Sequence, residues 1–446
     1  MSRAWVAAGL AAGLTACVHY VPAPVNPQAF PAALDARRLD EKPPGATWTA
    51  AELLTAALAR NPQVAEARAK YLTAVAAART ARLSPPLTLT LTAEYADERP
   101  HWGGGAAADI PLDAGGRRAT RLTNADLQAL QAWYDYGEAA WAVRTALAKA
   151  RAELSGARAE ITLADRAVAL RRDRLDRLQR RVAAGEDDRV QALMAQTDLA
   201  AAECKAADAH GREAAAVAAL AQALGVGPTA ARGAVFAADP APVSLDGLAD
   251  WRRDAAASRS DVLRAIADYD LAEAALRLEV AKQYPEVRIG PAYNYDHGVN
   301  KLPFNLSLAL PTYDLNQRAI AQAEAARTAA GRSLELTQAN ALAAVDTAAA
   351  ALIAADANAE RAAGRELPAA RQTAEGVARA TRAGEADRVD DLAAQAAAID
   401  AELSLLDARR TAATAVADLE DALRRSFDPA ETAVLQTALT RPGGAR

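Results

Sequence analysis

The chain is written twice, about 199 residues apart, and this duplication limits its possible folds more than any single motif. Ala184-Gly185-Glu186 returns as Ala383-Gly384-Glu385, Asp188-Arg189-Val190 as Asp387-Arg388-Val389, and Ala195-Gln196 as Ala394-Gln395. Asn61-Pro62-Gln63-Val64 opens a helical stretch that halts at Ser84-Pro85-Pro86, and Ser260-Asp261-Val262-Leu263 opens one that halts at Tyr284-Pro285. Pro111 to Arg118 pairs with Pro311 to Arg318 at an offset of 200, a one-residue difference that a loop absorbs. Chance supplies one Ala-Gly-Glu pair in an alanine-rich chain, but not five landmarks in the same order and spacing. The period is far too long for a short-unit solenoid. Two copies of one large unit are expected, over residues 50–240 and 241–425, with an arm over 17–49 and a tail over 426–446.

Within each unit the hydrophobic period changes. Residues 50–83 read as helix broken at Pro62, with Asn61 as its cap. Then Leu87, Leu89, Leu91, Ala93 and Tyr95 alternate with Thr88, Thr90, Thr92 and Glu94, which is strand period. A weaker partner over about 105–112 turns Ala106, Ala108, Ile110 and Leu112 to one side, with Gly103 to Gly105 blurring its start. In the second unit Val287, Ile289, Pro291, Tyr293 and Tyr295 share one face, as do Phe304, Leu306, Leu308 and Leu310. Such strands are long enough to cross a bilayer at a tilt, although a half-buried soluble sheet has the same alternation. Tyr95, Tyr293 and Tyr295 suit a membrane interface, where ring and hydroxyl are both satisfied.

Each strand pair leads into a very long helix, over 117–182 and 317–381, and then a return helix, over 187–224 and 386–425. Pro368 is expected to bend the second long helix without ending it. Hydrophobic residues make up 52% of the chain but aromatics only 4%. Alanine carries most of that apolarity, which favours closely packed long helices over a bulky globular core. A mainly α fold with a small β part follows.

Arg3, the apolar run from Trp5 to Leu14 and Leu14-Thr15-Ala16-Cys17 read as a secretory leader over 1–16 with a lipobox, Cys17 being lipidated. Pro22, Pro24, Pro27, Pro31, Pro43 and Pro44 suggest an extended arm after it. No later stretch reads as a helical membrane span, so any crossing is left to strands, which must close into a barrel. The formal charge of −5, without a sustained basic patch, makes nucleic acid a poor partner, and none is expected. His19, His101, His210 and His297 are scattered, so no metal site or cofactor is expected. Cys204 reads as a buried or packing thiol. No nucleophile, base and orienter stand at motif spacing, and no enzyme activity is expected.

These landmarks, from Asn61-Pro62 through Pro111-Leu112-Asp113-Ala114-Gly115-Gly116-Arg117 to the paired Ala-Gly-Glu stretches, resemble the outer-membrane factor family over residues 50–425. That family comprises TolC-like trimeric channels of efflux pumps and type I secretion, and the lipobox makes the chain similar to its lipoprotein branch. The resemblance implies a homotrimer whose twelve strands form one transmembrane β-barrel, continued into the periplasm by an α-helical barrel. It implies an outer-membrane location with lipid contact, a periplasmic adaptor (membrane fusion) protein and an inner-membrane transporter as partners, and the exit duct of a tripartite efflux system as function. It also places Gly185 and Gly384 at the periplasmic turns, with Glu186, Asp188, Arg189, Glu385, Asp387 and Arg388 flanking the adaptor contact. Asp390 falls at a gate-forming aspartate, while Ala393 stands where a second would be. A non-channel periplasmic coiled-coil scaffold lipoprotein, which leaves the alternating strands without a purpose, and a type I secretion duct are the rival readings.

Overall fold

The computed structural model describes residues 20–440 apart from 40, 41, 44, 84, 85, 98, 113–115, 238–242, 311 and 312. Cys17 and the leader before it lie outside the described residues, as do Asp113 to Gly115 and Pro311 of the duplicated landmark. The fold is mainly α with a small β part, and its elements run in nearly the same order twice.

The arm is not fully extended. Asn26 accepts a hydrogen bond from the Gln28 amide at 3.1 Å and caps a 3-10 turn over Pro27–Ala29, which runs into α1 (Phe30–Asp35). Arg37 Nη1 then donates to the carbonyls of Gly225 (2.9 Å) and Arg60 (3.2 Å), seating the arm on the first unit. β1 (Thr47–Trp48) pairs in parallel with β4 (Val235–Phe236).

The stretch read as one broken helix is two, α2 (Ala50–Arg60) and α3 (Pro62–Ala81), because the residue before proline is barred from helical geometry. Asn61 is accordingly extended, at φ −64° and ψ 126°. Its side chain accepts from the Gln63 amide at 2.8 Å and donates to the carbonyls of Gln222 (3.2 Å) and Ala223 (2.9 Å). In the second unit, α7 (Leu248–Ser258) and α8 (Ser260–Ala281) are joined the same way through Arg259, which donates to the carbonyl of Ala422.

A capping box opens α2: Thr49 Oγ1 accepts from the Glu52 amide at 3.3 Å and Glu52 accepts from the Thr49 amide at 2.8 Å. Lys42, 2.6 Å from Glu52, together with the Thr49 amide and hydroxyl, lowers this carboxyl from its ordinary 4.5 to about 2. A depressed acid stabilises the fold above its unfolded pKa and loses that contribution as pH falls through its folded one. The cap is therefore expected to loosen between pH 4.5 and about 2, read as faster amide exchange over residues 49–53. Unchanged exchange across that window would refute it.

β2 (Thr88–Tyr95), β3 (Trp102–Leu112), β5 (Glu286–Asp296) and, on the far side of β5, β6 (Val299–Lys301) and β7 (Phe304–Ala309) form one antiparallel sheet. β3 starts earlier than the sequence suggested, because its glycines are part of the ladder. A Cβ on Gly105 would lie 2.1 Å from Asn294 Oδ1 and 2.7 Å from the Tyr293 carbonyl. β6 was not expected at all.

α4 (Arg117–Ala183) has 67 residues, roughly 100 Å at about 1.5 Å per residue. Its return is α5 (Arg189–Leu224), after which a short helix, α6 (Pro228–Arg232), follows. The second unit repeats this with α9 (Gln317–Arg361), a π turn over Ala362–Glu366 and α10 (Leu367–Ala383), returning through α11 (Arg388–Leu423). Pro368 has no amide hydrogen and its ring crowds the carbonyl four residues back, so one wider turn carries the helix past it. α5 ends at Gly225 with φ 68°, and the matching end of α11 is Arg424 with φ 49°. The left-handed conformation costs a side-chain-bearing residue about 1–2 kcal/mol; the 2.7 Å bond from Arg424 Nη2 to Glu138 Oε2 opposes that cost.

Among the described residues one helix, not singled out in the sequence, is long and apolar enough to pass the length and composition test for a membrane span. Gln317–Ala383 has an 18-residue window of mean hydropathy 1.3. Alanine supplies it, and the inner side of this helix, Val345, Ala348, Leu352 and Ala355, packs with Leu419 and Leu423.

The largest core joins Leu53, Leu54, Trp141, Leu154, Leu220 and Leu224 in the first unit. Leu435 also belongs to it, so the expected tail holds an ordered helix, α12 (Pro429–Ala438), folded back onto the first unit. Cys204 is exposed, not buried, in the single chain.

Candidate functional site

Two surfaces stand apart from the packed body, at opposite ends of the long helices. The first is the sheet. Its register places Leu89 beside Ala108, Leu91 beside Ala106, Ala106 beside Tyr293, Ile110 beside Ile289, and Ile289 beside Leu306. Side chains alternate along a strand, so the apolar sets of all four main strands fall on one face. Thr90, Thr92, Asp109, Arg288, Asn294 and Ser307 fall on the other, where Arg288 pairs with Asp109 at 3.1 Å. Leu91 is 73% exposed, and Leu89, Leu306 and Leu308 are also exposed. β2 at one edge and β7 at the other have no further strand beside them among the described residues.

Tyr95, Trp102, Tyr293 and Tyr295 gather on the apolar face at the end of the sheet remote from the helices, with Tyr95 and Trp102 5.2 Å apart between ring centroids. Tyr284 and Tyr313 stand exposed near the strand-to-helix joints. Trp102 was missed in the sequence because the glycines after it disguise the strand.

The second surface is the pair of hairpin tips. Gly185 and Gly384 adopt φ 77° and 79°, and no atom would lie within 4 Å of a Cβ at either, so the left-handed turn requires glycine rather than lack of space. The amides that follow close the turns: Glu186 donates to the Arg181 carbonyl at 2.9 Å and Glu385 to that of Ala380 at 2.8 Å. Asp188 and Asp387 cap the return helices, accepting from the Val190 (3.1 Å) and Val389 (3.3 Å) amides. These caps start the return helices two residues later than the sequence suggested. Glu186, Asp188, Arg189, Glu385, Asp387 and Arg388 are all exposed.

The tips are tied together by residues that the sequence had not singled out. Arg181, in the last turn of α4, pairs with Asp187 at 3.0 Å and also with Asp387 of the other hairpin. Asp187 has no counterpart in the second unit, where Ala386 stands, so the duplication itself hid it. Asp390 is exposed and, among the described residues, has no bonding partner. Its neighbour Asp391 is 2% exposed, paired with Arg388 and accepting from Gln395 Nε2 at 3.0 Å. Consecutive helical positions point about 100° apart, which separates the two carboxylates.

Residues 53–226 match the family model described as outer membrane efflux protein. No curated protein matches the chain by sequence. Among solved structures, the outer membrane protein VceC of Vibrio cholerae superimposes with a TM-score of 0.70 at 20% identity, covering 85% of this chain and 97% of that one. The CmeC outer membrane channel of Campylobacter jejuni gives 0.72 at 12% identity, covering 95% and 97%. The MtrE outer membrane channel of Neisseria gonorrhoeae, solved in its open state, gives 0.69 at 20% identity, covering 84% and 89%. The chain thus has the fold of these outer-membrane channels, and its first unit carries the sequence pattern of the outer membrane efflux proteins.

Proposed function

We propose that three copies of this chain assemble into an outer-membrane duct that serves as the exit of a tripartite efflux system. The observation that carries this reading is the sheet, apolar on one side, polar on the other and open at both edges, at the end of a helical body roughly 100 Å long. In a bilayer, unpaired strand edges are excluded because their backbone groups have no water to bond. A β2 edge meeting the β7 edge of the next copy removes every free edge, and four strands from each of three copies give a barrel of twelve. The apolar face then meets lipid and the threonine-rich face lines the pore, with the tyrosines and Trp102 at the interfaces. In this reading the units over 50–240 and 241–425 each supply one helical hairpin to the tunnel, and lipid on Cys17 anchors the arm.

The tips would meet the hairpin of a periplasmic adaptor, which links the duct to an inner-membrane transporter. Gly185 and Gly384 keep the turns narrow, and Glu186, Asp188, Arg189, Glu385, Asp387 and Arg388 offer charge to that partner. Asp390 would form a ring of three carboxylates at the entrance. Asp390→Asn is expected to reduce cation selectivity in planar bilayers, moving the reversal potential in a salt gradient toward zero. An unchanged potential would remove Asp390 from the gate. The duct itself is tested by imaging the mature protein, extracted in detergent from the outer membrane: a hollow three-fold particle supports it, and a solid monomeric rod favours a scaffold.

A further inference from the structure

α11 packs against both α4 and α9, and beside the start of α12 the three helices leave a cavity of about 860 Å³. That lies within the roughly 300–1,000 Å³ of small-molecule sites. Small side chains keep it open: Ala148 and Ala152 on α4, Ala359 on α9, Ala412 and Ala413 on α11. Val416 and Phe427 extend the apolar wall.

Arg144 lines the cavity and is 4% exposed. Its Nε and Nη2 are taken by Glu431, Glu420 and Ser426, but Nη1 is buried and has no hydrogen-bond partner among the described residues. A buried N–H left without an acceptor carries its full desolvation cost. One guanidinium already faces two carboxylates there, so an anion would add a third negative charge. A neutral oxygen, such as a carbonyl or sulfonyl, satisfies Nη1 without that cost.

The α9 wall has the opposite need. Asp356 and Glu360 stand one turn apart, where side chains on a helix are neighbours, and both line the cavity. Burial and the Glu360 charge raise the Asp356 carboxyl above its ordinary value, with no cation opposing them. Arg151 and Arg409 line the cavity as well, yet among the described residues neither forms an ion pair with these two carboxylates. An ammonium group suits this wall.

We propose that the cavity binds a small organic cation, its ammonium on Asp356 and Glu360, its apolar body along the alanines and Phe427, and a neutral acceptor on Arg144 Nη1. The site is built by one chain and does not rest on the assembly proposed above. A bound cation would bridge α9 to the cluster that holds α12.

The probe is dansylcadaverine, which joins a primary ammonium to a sulfonyl acceptor and a fluorescent ring, titrated into the purified full-length protein in detergent. Saturable, blue-shifted emission is expected. Asp356→Asn with Glu360→Gln should weaken it about tenfold, as two partly exposed ion pairs allow. Ala413→Phe, which fills the cavity and leaves every charge in place, should abolish it, and both variants are checked for parental helix content. The dansyl pentylamide, lacking the ammonium, should bind as weakly to the parent as the amine does to the double variant. Equal signals from parent and variants would mean that the probe enters only the micelle, which overturns the site. Tighter binding of the carboxylate analogue, dansyl-aminohexanoate, would overturn the cation assignment. One readout needs no variant: saturating dansylcadaverine should slow amide exchange over residues 429–438 of the unaltered chain, and unchanged exchange there counts against the bridge to α12.

Discussion

Arg144→Ala is expected to release the C-terminal helix from the body and to cost on the order of 3–5 kcal/mol, the range for a buried ion pair that loses one partner. Arg144 is 4% exposed and stands between two glutamates from different elements. Its Nη2 lies 2.6 Å from Glu420 on α11 and 2.6 Å from Glu431 on α12, while Nε donates to Glu431 at 2.9 Å. Ser426 donates to Glu431 at 2.8 Å, and Glu420 also accepts the Phe427 amide at 2.6 Å. One guanidinium therefore joins α4, α11, the connection after it and α12. Without it two carboxylates share a buried space with no cation.

Burial already holds the Glu420 carboxyl above its ordinary value, against the pull of Arg144. A raised acid binds its proton more tightly when folded, so its contribution to stability falls as pH rises from the unfolded value through the folded one, and is flat above. Removing Arg144 widens that window upward. The variant should thus be least impaired at mildly acid pH and most impaired at neutral pH. Amide exchange over residues 429–438 at both pH values reads this directly. Protection equal to that of the parent would mean that Leu435 and its apolar neighbours hold the helix without the clamp.

The clamp also marks what the sequence could not disclose. Arg144 and Glu431 are 287 residues apart, and nothing local to either distinguishes it from a solvated charge. α12 carries its own start signal, Asp428 capping with Pro429 in the first turn, yet which surface it meets depends on the whole fold. Cys204 was legible only in part: its surroundings on α5 read as packing, but among the described residues of the single chain it stands exposed. By contrast, the sheet faces were legible, because a period of two assigns sides without knowing the partner strands, and the register then brings those sides together. The tip turns came from the family resemblance, and the left-handed φ of Gly185 and Gly384 supplies their local reason. The cross-hairpin pair of Arg181 and Asp387 is not local, and neither helix alone suggests it.

The register puts adjacent residues on opposite faces, which in the proposed barrel means one toward lipid and one toward the pore, and this gives its sharpest test. Leu91→Arg is expected to cost about 2–4 kcal/mol in each copy, as a cation near the bilayer midplane does. Leu91 pairs with Ala106 near the middle of β3, far from either aromatic end where the side chain could reach water. In the proposed trimer three copies carry the same burden, so a heat- and detergent-resistant oligomer of the parent protein on gels should be lost in the variant. Thr90→Arg, one residue away, pairs with Ala107 on the polar face and should leave the assembly intact while narrowing and recharging the pore. Its readout is a lower conductance and weaker cation preference with unchanged gel migration. A soluble half-buried sheet would respond differently: with the apolar face against protein, Leu91→Arg would reduce helix packing or solubility, and Thr90→Arg would alter no conductance. Equal tolerance of both changes would mean that neither face meets lipid, and the alternation that first suggested a membrane would then belong to an ordinary sheet.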